Sequence, residues 1–376
     1  MTDRTVQPER LSPLHQKHLD AGASFTDFAG WQMPVRYSSD LAEHHAIRTT
    51  AGLFDLSHMA EIFVTGDAAG AALDYALAGK ISAIAIGQAK YSLLLSPEGG
   101  IIDDVVVYRT GESRFTVVAN ASNRFPAAEA LAARAADFDA VVVDGSDQIA
   151  LIAVQGPNAV AIMDRLDGWD LLIAPRDLKY YWSTLGSYHG SQAMVGRTGY
   201  TGEDGFELYV PVGDAAALWD ELMAAGADLG LVPAGLASRD TLRLEAGMPL
   251  YGHELNLGTF PVQARLNRVV NLKKEGDFVG RAAVEAGPPE GSRVLVGLRA
   301  DGRRAGRADY PVRDLDGAEV GVITSGALSP TLGYPVAMAY VDPTAAEPGT
   351  ELFLDVRGTS IPASVVALPF YKREAK

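Results

Sequence analysis

The 376-residue chain contains no cysteine. That absence removes disulfides, thiolate nucleophiles, Cys-ligated zinc and iron–sulfur clusters in one step. Positive charge is also scarce. Lys and Arg number 32 against 47 Asp and Glu, for a formal net charge of -15. A field of that sign repels nucleic acid and anionic membranes, so neither is expected as a partner. No run reaches the ~18 apolar residues of a membrane span, and the polar Met1–Arg10 lacks the apolar core of a signal peptide. A cytoplasmic chain is the expectation. None of the seven histidines falls in a His-Glu-x-x-His pattern. Gly-x-Ser-x-Gly, a kinase signature and a post-strand Gly-x-Gly-x-x-Gly are missing too. Hydrolase, kinase and dinucleotide oxidoreductase readings thereby lose their usual anchors, and no metal is expected.

What is present is ample apolar material. Hydrophobic residues make up 48% of a turn-rich composition with 39 Gly and 20 Pro. That is enough for two or three domains. Residues 13–43 mix aromatics, Gly and Pro and read as a packed, irregular segment. A short helix is expected over 40–50 with Asp40 as its cap. A strand follows over Ala60–Val64, then an Ala/Leu helix over 67–78. The segments 89–95, 101–108 and 115–119 read as a meander, the first two joined by the turn Pro97-Glu98-Gly99-Gly100. Helices are expected over 126–136, 215–226 and 236–245, and a strand over 149–155. Such irregular alternation suggests α+β layers. The stretch Gly287-Pro288-Pro289-Glu290-Gly291 is the best domain boundary. Beyond it, five short apolar segments between Gly/Asp/Pro turns suggest a small antiparallel barrel or sandwich.

Two adjacent carboxylates interrupt the most apolar strand, Ile101-Ile102-Asp103-Asp104-Val105-Val106-Val107-Tyr108. Neighbouring side chains in a strand point to opposite faces, so Asp103 and Asp104 are not expected to share one environment. A buried carboxylate is costly unless paired, hydrogen-bonded or used, which makes the pair a candidate for acid/base or cation-stabilising work. A sheet edge or bulge would instead leave either one simply solvated.

Residues 196–207, Gly-Arg-Thr-Gly-Tyr-Thr-Gly-Glu-Asp-Gly-Phe-Glu, are dense in glycine, which permits a tight turn or a close backbone approach to a ligand. There is no Gly-Lys-Ser/Thr, so this is not a phosphate loop; a plain hairpin turn is the competing reading. Glu207 lies two residues into the next strand, where its carboxylate could accept from a guanidine-like heterocycle. Arg239 and Arg243 stand at i, i+4 on the 236–245 helix, either as a clamp for an anion or heterocycle or as an ordinary solvated face.

Taken in order, these segments carry a resemblance. Phe28-Ala29-Gly30-Trp31-Gln32-Met33-Pro34, Gly52-Leu53-Phe54-Asp55-Leu56-Ser57-His58-Met59, the Gly-Gly-Ile-Ile-Asp-Asp strand and Gln155-Gly156-Pro157 come first. Arg197–Gly205, Arg239-Asp240 with Arg243-Leu244-Glu245, Thr324-Ser325-Gly326 and Ser329-Pro330-Thr331-Leu332-Gly333 follow. The series resembles the aminomethyltransferase, or T-protein, family of the glycine cleavage system. The match runs from about Pro13 to Tyr371, and the ordered set is far more specific than any one motif.

The resemblance implies an α+β, three-domain cloverleaf that binds tetrahydrofolate in a central cavity, with a C-terminal antiparallel β-barrel. Residues 1–286 would form the folate-binding region, as two interwoven α+β subdomains, and 287–376 the barrel. The implied reaction moves the methylene carbon of aminomethyl-lipoyl H-protein to tetrahydrofolate, releasing ammonia and dihydrolipoyl-protein. The family's catalytic carboxylate falls on Asp104, and its pterin-contacting Glu and Arg fall on Glu207 and Arg239. Other cavity-lining positions fall on Met59, Tyr91, Asn120 and Tyr200. Lipoylated H-protein would be the partner, with Arg303, Arg304 and Arg307 as one docking patch or merely a solvated loop. Competing readings are a tetrahydrofolate-dependent demethylase of a methylated sulfur or oxygen compound, and a non-catalytic folate-binding protein. Relatives of the latter kind carry a cysteine motif that is missing here.

Overall fold

The computed structural model describes residues 9–374, so Met1–Pro8 of the polar N-terminal segment lie outside the described residues. Two units divide the chain. One gathers the segment ending at Ala60 with Gly145–Gly199 and Glu203–Asp240; the other gathers Glu61–Asp144, Tyr200–Gly202 and the segment from Thr241 onward.

The first unit is built on a seven-stranded sheet. Its order is Trp169–Leu171, Ser183–Tyr188, Ser191–Gly196, Gly205–Pro211, Ile149–Gln155, Ala51–Asp55, Leu231–Pro233. Only the last pairing is parallel. Alternation decides the faces. Ile152, Val154, Phe206, Leu208 and Val210 point into one core with Leu218, Trp219 and Leu222 of helix Ala215–Gly226 and Ile162 of helix Ala159–Met163. Glu207 therefore points to the opposite face, opposite Ala153 on one neighbour and Gly196 on the other. A hairpin, Ser24–Phe28 with Trp31–Arg36, orders the aromatic segment that the sequence left irregular. Helix Asp40–Thr49 is capped by Ser39, whose Oγ accepts from Ala42 N–H at 3.4 Å; Asp40 sits in its first turn, where a negative charge favours the dipole.

The second unit opens on a five-stranded sheet ordered Ala89–Leu95, Ile101–Gly111, Arg114–Ala119, Ala60–Thr65, Val141–Asp144. The meander expected from the sequence is its core. Helices Ala69–Ala76 and Arg124–Ala135 pack together beside it, the first shorter than the 67–78 expected and with no side-chain N-cap. The Lys274 ammonium closes the far end of Ala69–Ala76, donating to the carbonyls of Asp74, Leu77 and Gly79. The turn before Ile101 needs its glycines. Gly99 has φ +87°, and a Cβ on Gly100 would lie 1.8 Å from the Leu257 carbonyl oxygen.

From Val294 the chain forms a closed six-stranded antiparallel barrel. Its order is Val294–Ala300, Pro335–Val341, Glu319–Leu328, Pro311–Arg313, Glu351–Val356, Thr359–Val366. Five of these strands contain the apolar segments read from the sequence. The sixth, Pro311–Arg313, is three residues long and carries no apolar run.

Candidate active site

Asp103 and Asp104 occupy opposite faces of strand Ile101–Gly111, as alternation requires, yet they share a partner. Asp103 lies on the helix-covered face and is fully buried, while Asp104 is half-buried. The ladder between Ile101–Gly111 and Arg114–Ala119 pairs Val106 with Val118, and extending it by two residues sets Asn120 across from Asp104. Asn120 leaves the sheet at that point, and its amide turns between the faces. Its Nδ2 donates to Asp103 Oδ1 at 2.8 Å and to Asp104 Oδ1 at 2.9 Å. The expectation of separate environments is thus corrected by a side chain beyond the ladder's end.

The remaining partners complete the cluster. Asp103 also accepts from the Asn120 backbone N–H at 3.0 Å and from Asn123 Nδ2 at 2.6 Å. Asp104 Oδ2 accepts from the Tyr91 hydroxyl at 2.9 Å. Tyr91 reaches it because Leu93 pairs with Asp104 and Tyr91 with Val106, which places Tyr91 and Asp104 on one face. Burial, and then the charge of Asp104, push the Asp103 carboxyl up to about 7 against three hydrogen bonds that lower it. Burial raises the Asp104 carboxyl, opposed by the Tyr91 and Asn120 hydrogen bonds. Tyr251 responds to the same pair: burial first, then Asp103 and Asp104, hold its phenol above the usual range. Asn123 and Tyr251 carried no sequence signal, since neither lies in a motif.

In the same unit, half-buried Tyr200 donates its hydroxyl to the Pro249 carbonyl. Arg243 corrects the clamp reading. Its guanidinium is buried, donating to Glu254 Oε2 at 3.0 Å and Ser325 Oγ at 2.8 Å, while Ser325 donates to the other Glu254 oxygen. It ties the helix end into the fold and holds a structural charge pair.

The first unit carries the other three candidates. Glu207 is half-buried, and its Oε2 accepts from the Thr198 hydroxyl at 2.5 Å, which fixes the carboxylate. The glycines before it serve the protein itself. A Cβ on Gly199 would lie 2.0 Å from Gln155 Oε1, and one on Gly205 2.4 Å from Gln155 Nε2. The close approach read as a ligand's is made by Gln155, which donates to the Thr198 carbonyl at 3.0 Å. Arg239 and Met59 are half-buried. Arg239 acts on His58: burial first, then the guanidinium, lower the buried imidazole to about 4, so it is neutral at physiological pH. All seven predicted site residues are half-buried. Among the described residues no group of three or more His, Asp or Glu is arranged to hold a metal.

The comparisons agree with one another. Residues 14–274 match the model of the GCVT N-terminal domain, and 293–372 match the glycine cleavage T-protein C-terminal barrel domain. The aminomethyltransferase of Cutibacterium acnes is 58% identical, over 97% of this chain and 99% of its own. That of Saccharopolyspora erythraea is 55% identical, over 97% and 99%. The crystal structure of the glycine cleavage system aminomethyltransferase T of Bartonella henselae superposes with a TM-score of 0.88 at 38% identity, covering 97% of this chain and 98% of that one. With both domain models matched in order and such identity sustained end to end, the chain belongs to the glycine cleavage T-protein, or aminomethyltransferase, family.

Proposed function

We infer that this enzyme transfers the methylene carbon of an aminomethyl group, carried on the lipoyl arm of H-protein, to tetrahydrofolate. The balance is simple. One carbon–sulfur and one carbon–nitrogen bond break, and two bonds form from that carbon to folate nitrogens. The two protons those nitrogens lose go to the thiolate and to ammonia, and no electrons are exchanged. Breaking either bond first leaves an iminium-like, cationic carbon. A carboxylate beside it stabilises that charge and orders the proton transfers, which is the role we propose for Asp104. Its half-buried carboxylate, fixed by Tyr91 and Asn120, is the observation that carries the reading.

Folate amines are weak nucleophiles, so holding them against the carbon supplies much of the rate. We propose Glu207 and Arg239 as the partners of the pterin. The Thr198 hydrogen bond supports this by pinning the Glu207 carboxylate before any ligand arrives. Tyr200, Asn120, Tyr91 and Met59 are proposed as further folate contacts, and the domain division near Gly287–Gly291 belongs to the same reading. So does a cytoplasmic location, which cell fractionation tests.

A coupled assay of purified protein with tetrahydrofolate and aminomethylated lipoyl H-protein, following ammonia, tests the function. We expect folate-dependent release. In Asp104→Asn it falls by roughly 10²- to 10⁴-fold, the usual weight of one acid/base group, with tetrahydrofolate binding by calorimetry retained. Tight folate binding without ammonia release, joined to demethylation of methylated sulfur or oxygen donors, overturns the reading.

A further inference from the structure

We propose that Asp103 is a positioning residue for the transfer reaction: an anion buried behind the sheet that clamps Asn120 and reinforces the charge of Asp104. This rests on the reading of Asp104 given above. Every hydrogen bond received by Asp103 comes from a donor: the Asn120 N–H, Asn120 Nδ2 and Asn123 Nδ2. Three donors and no acceptor suit a carboxylate and would strand the proton of a carboxylic acid. The anion in turn dictates the Asn120 amide. With its two Nδ2 protons committed to Asp103 and Asp104, the side chain is locked in one of its two flips. Asp104 is thereby held from one side by an amide that Asp103 orients and from the other by Tyr91.

The electrostatic effect follows from the same geometry. Two carboxylates bridged by one nitrogen raise each other's proton affinity, as in any like-charge pair in a low-dielectric site. Tyr91 and Tyr251 are the titratable groups facing this pair from the neighbouring strand and loop. The charges on the packed helices are engaged elsewhere. Arg124 pairs with Asp144, Arg134 donates to the Ala76 and Leu95 carbonyls, and Asp74 accepts from Ile81 and Ser82; Glu129 is exposed. From the loop, Glu254 pairs with Arg243, and exposed His253 bonds the Thr324 carbonyl. Asp103 is thus the anion that sets how readily Asp104 takes a proton and how strongly it attracts a cationic carbon.

The test is Asp103→Asn, which keeps the shape and removes the charge. We expect kcat for ammonia release to fall ten- to a hundredfold with tetrahydrofolate affinity unchanged within twofold. The acid limb of the kcat–pH profile should move to lower pH by about one unit, the scale of a nearby like charge. ¹³C NMR of labelled aspartate in the resting protein should show the Asp104 midpoint moving the same way. Asn123→Ala, which removes one donor and leaves both carboxylates, should lower kcat severalfold at unchanged folate affinity; it also serves should Asp103→Asn not fold. An unmoved Asp104 midpoint and acid limb in Asp103→Asn, or an unchanged kcat in Asn123→Ala, overturns the proposal. Failure of the underlying reading looks different: Asp104→Asn would stay active.

Discussion

Two fully buried aspartates in this protein meet opposite fates. Asp55, in the first unit, sits among complementary groups. His18 Nε2 lies 2.8 Å from its Oδ2, Ser12 donates to the same oxygen, and the Ser57 N–H donates to Oδ1 at 2.9 Å. Burial pushes its carboxyl up, but those contacts, His18 first, carry it below the ordinary value. Asp103, in the second unit, also accepts three hydrogen bonds, yet burial first, and then the charge of Asp104 beside it, push its carboxyl up to about 7. Burial and hydrogen-bond number are alike, and the sign of the neighbouring charge decides. A carboxylate matched to its surroundings holds a fold together. One set against another carboxylate costs stability and marks a place where charge is used.

The comparison can be broken from either side. The largest effect is expected from Asp55→Ala, which strands buried His18. Loss of one partner from such a pair costs about 3–5 kcal/mol, read as a lower midpoint in urea. Asp103→Asn should cost less, and its standing relative to the parent should improve as pH rises from about 4 to about 7. Over that window the folded parent's carboxylate pair holds a proton the unfolded chain has released, so the raised titration of the pair loses it stability with rising pH.

His58 supplies the opposite sign. Its imidazole is lowered from 6.5 to about 4, so the unfolded chain binds the proton first as pH falls. The parent should lose stability on acidification from about 6.5 to 4, by at most about 3–4 kcal/mol at 1.36 kcal/mol per unit. In His58→Gln that part of the slope should vanish, and unfolding curves at pH 4.5 and 7.5 decide it. The smallest effect separates two tyrosines. Tyr37→Phe removes the partner 2.9 Å from His18 Nδ1 and should cost about 1 kcal/mol. Tyr91→Phe, beside Asp104, should leave the urea midpoint nearly unmoved while slowing turnover.

Much of this was legible in the residues. Ile149–Gln155, Gly205–Pro211, Ala215–Gly226 and Leu236–Glu245 appear where apolar runs and helical periodicity put them, because burial enforces the pattern. Pro311–Arg313 was not legible, since a three-residue strand with Pro and Arg owes its place to neighbours in a closed barrel. The carboxylate pair stood out as an anomaly in an apolar run. Its sharing of Asn120 did not, because that contact forms where the ladder ends and no local spacing encodes it. Spacing misled at Arg243. An i, i+4 arginine pair says nothing about Glu254, eleven residues later, which takes the guanidinium into the core. The glycines of 199–205 signalled close approach correctly, but sequence alone could not tell a ligand from Gln155.

The order of the seven-stranded sheet has a consequence in time. Strand Ala51–Asp55 lies between Ile149–Gln155 and Leu231–Pro233, so the strand made first waits for both neighbours. Ribosomes add roughly 5–20 residues per second, which puts the second neighbour some 10–35 s behind. Until Gln155 is made the strand has both edges unpaired, and from then until Pro233 one edge stays open, a template for wrong partners. Limited proteolysis of chains stalled before and after residue 233 should show Ala51–Asp55 becoming protected only in the longer one. The nascent chain therefore carries an open edge of this one strand through nearly half of its synthesis, and the last residues of Leu231–Pro233 are what close it.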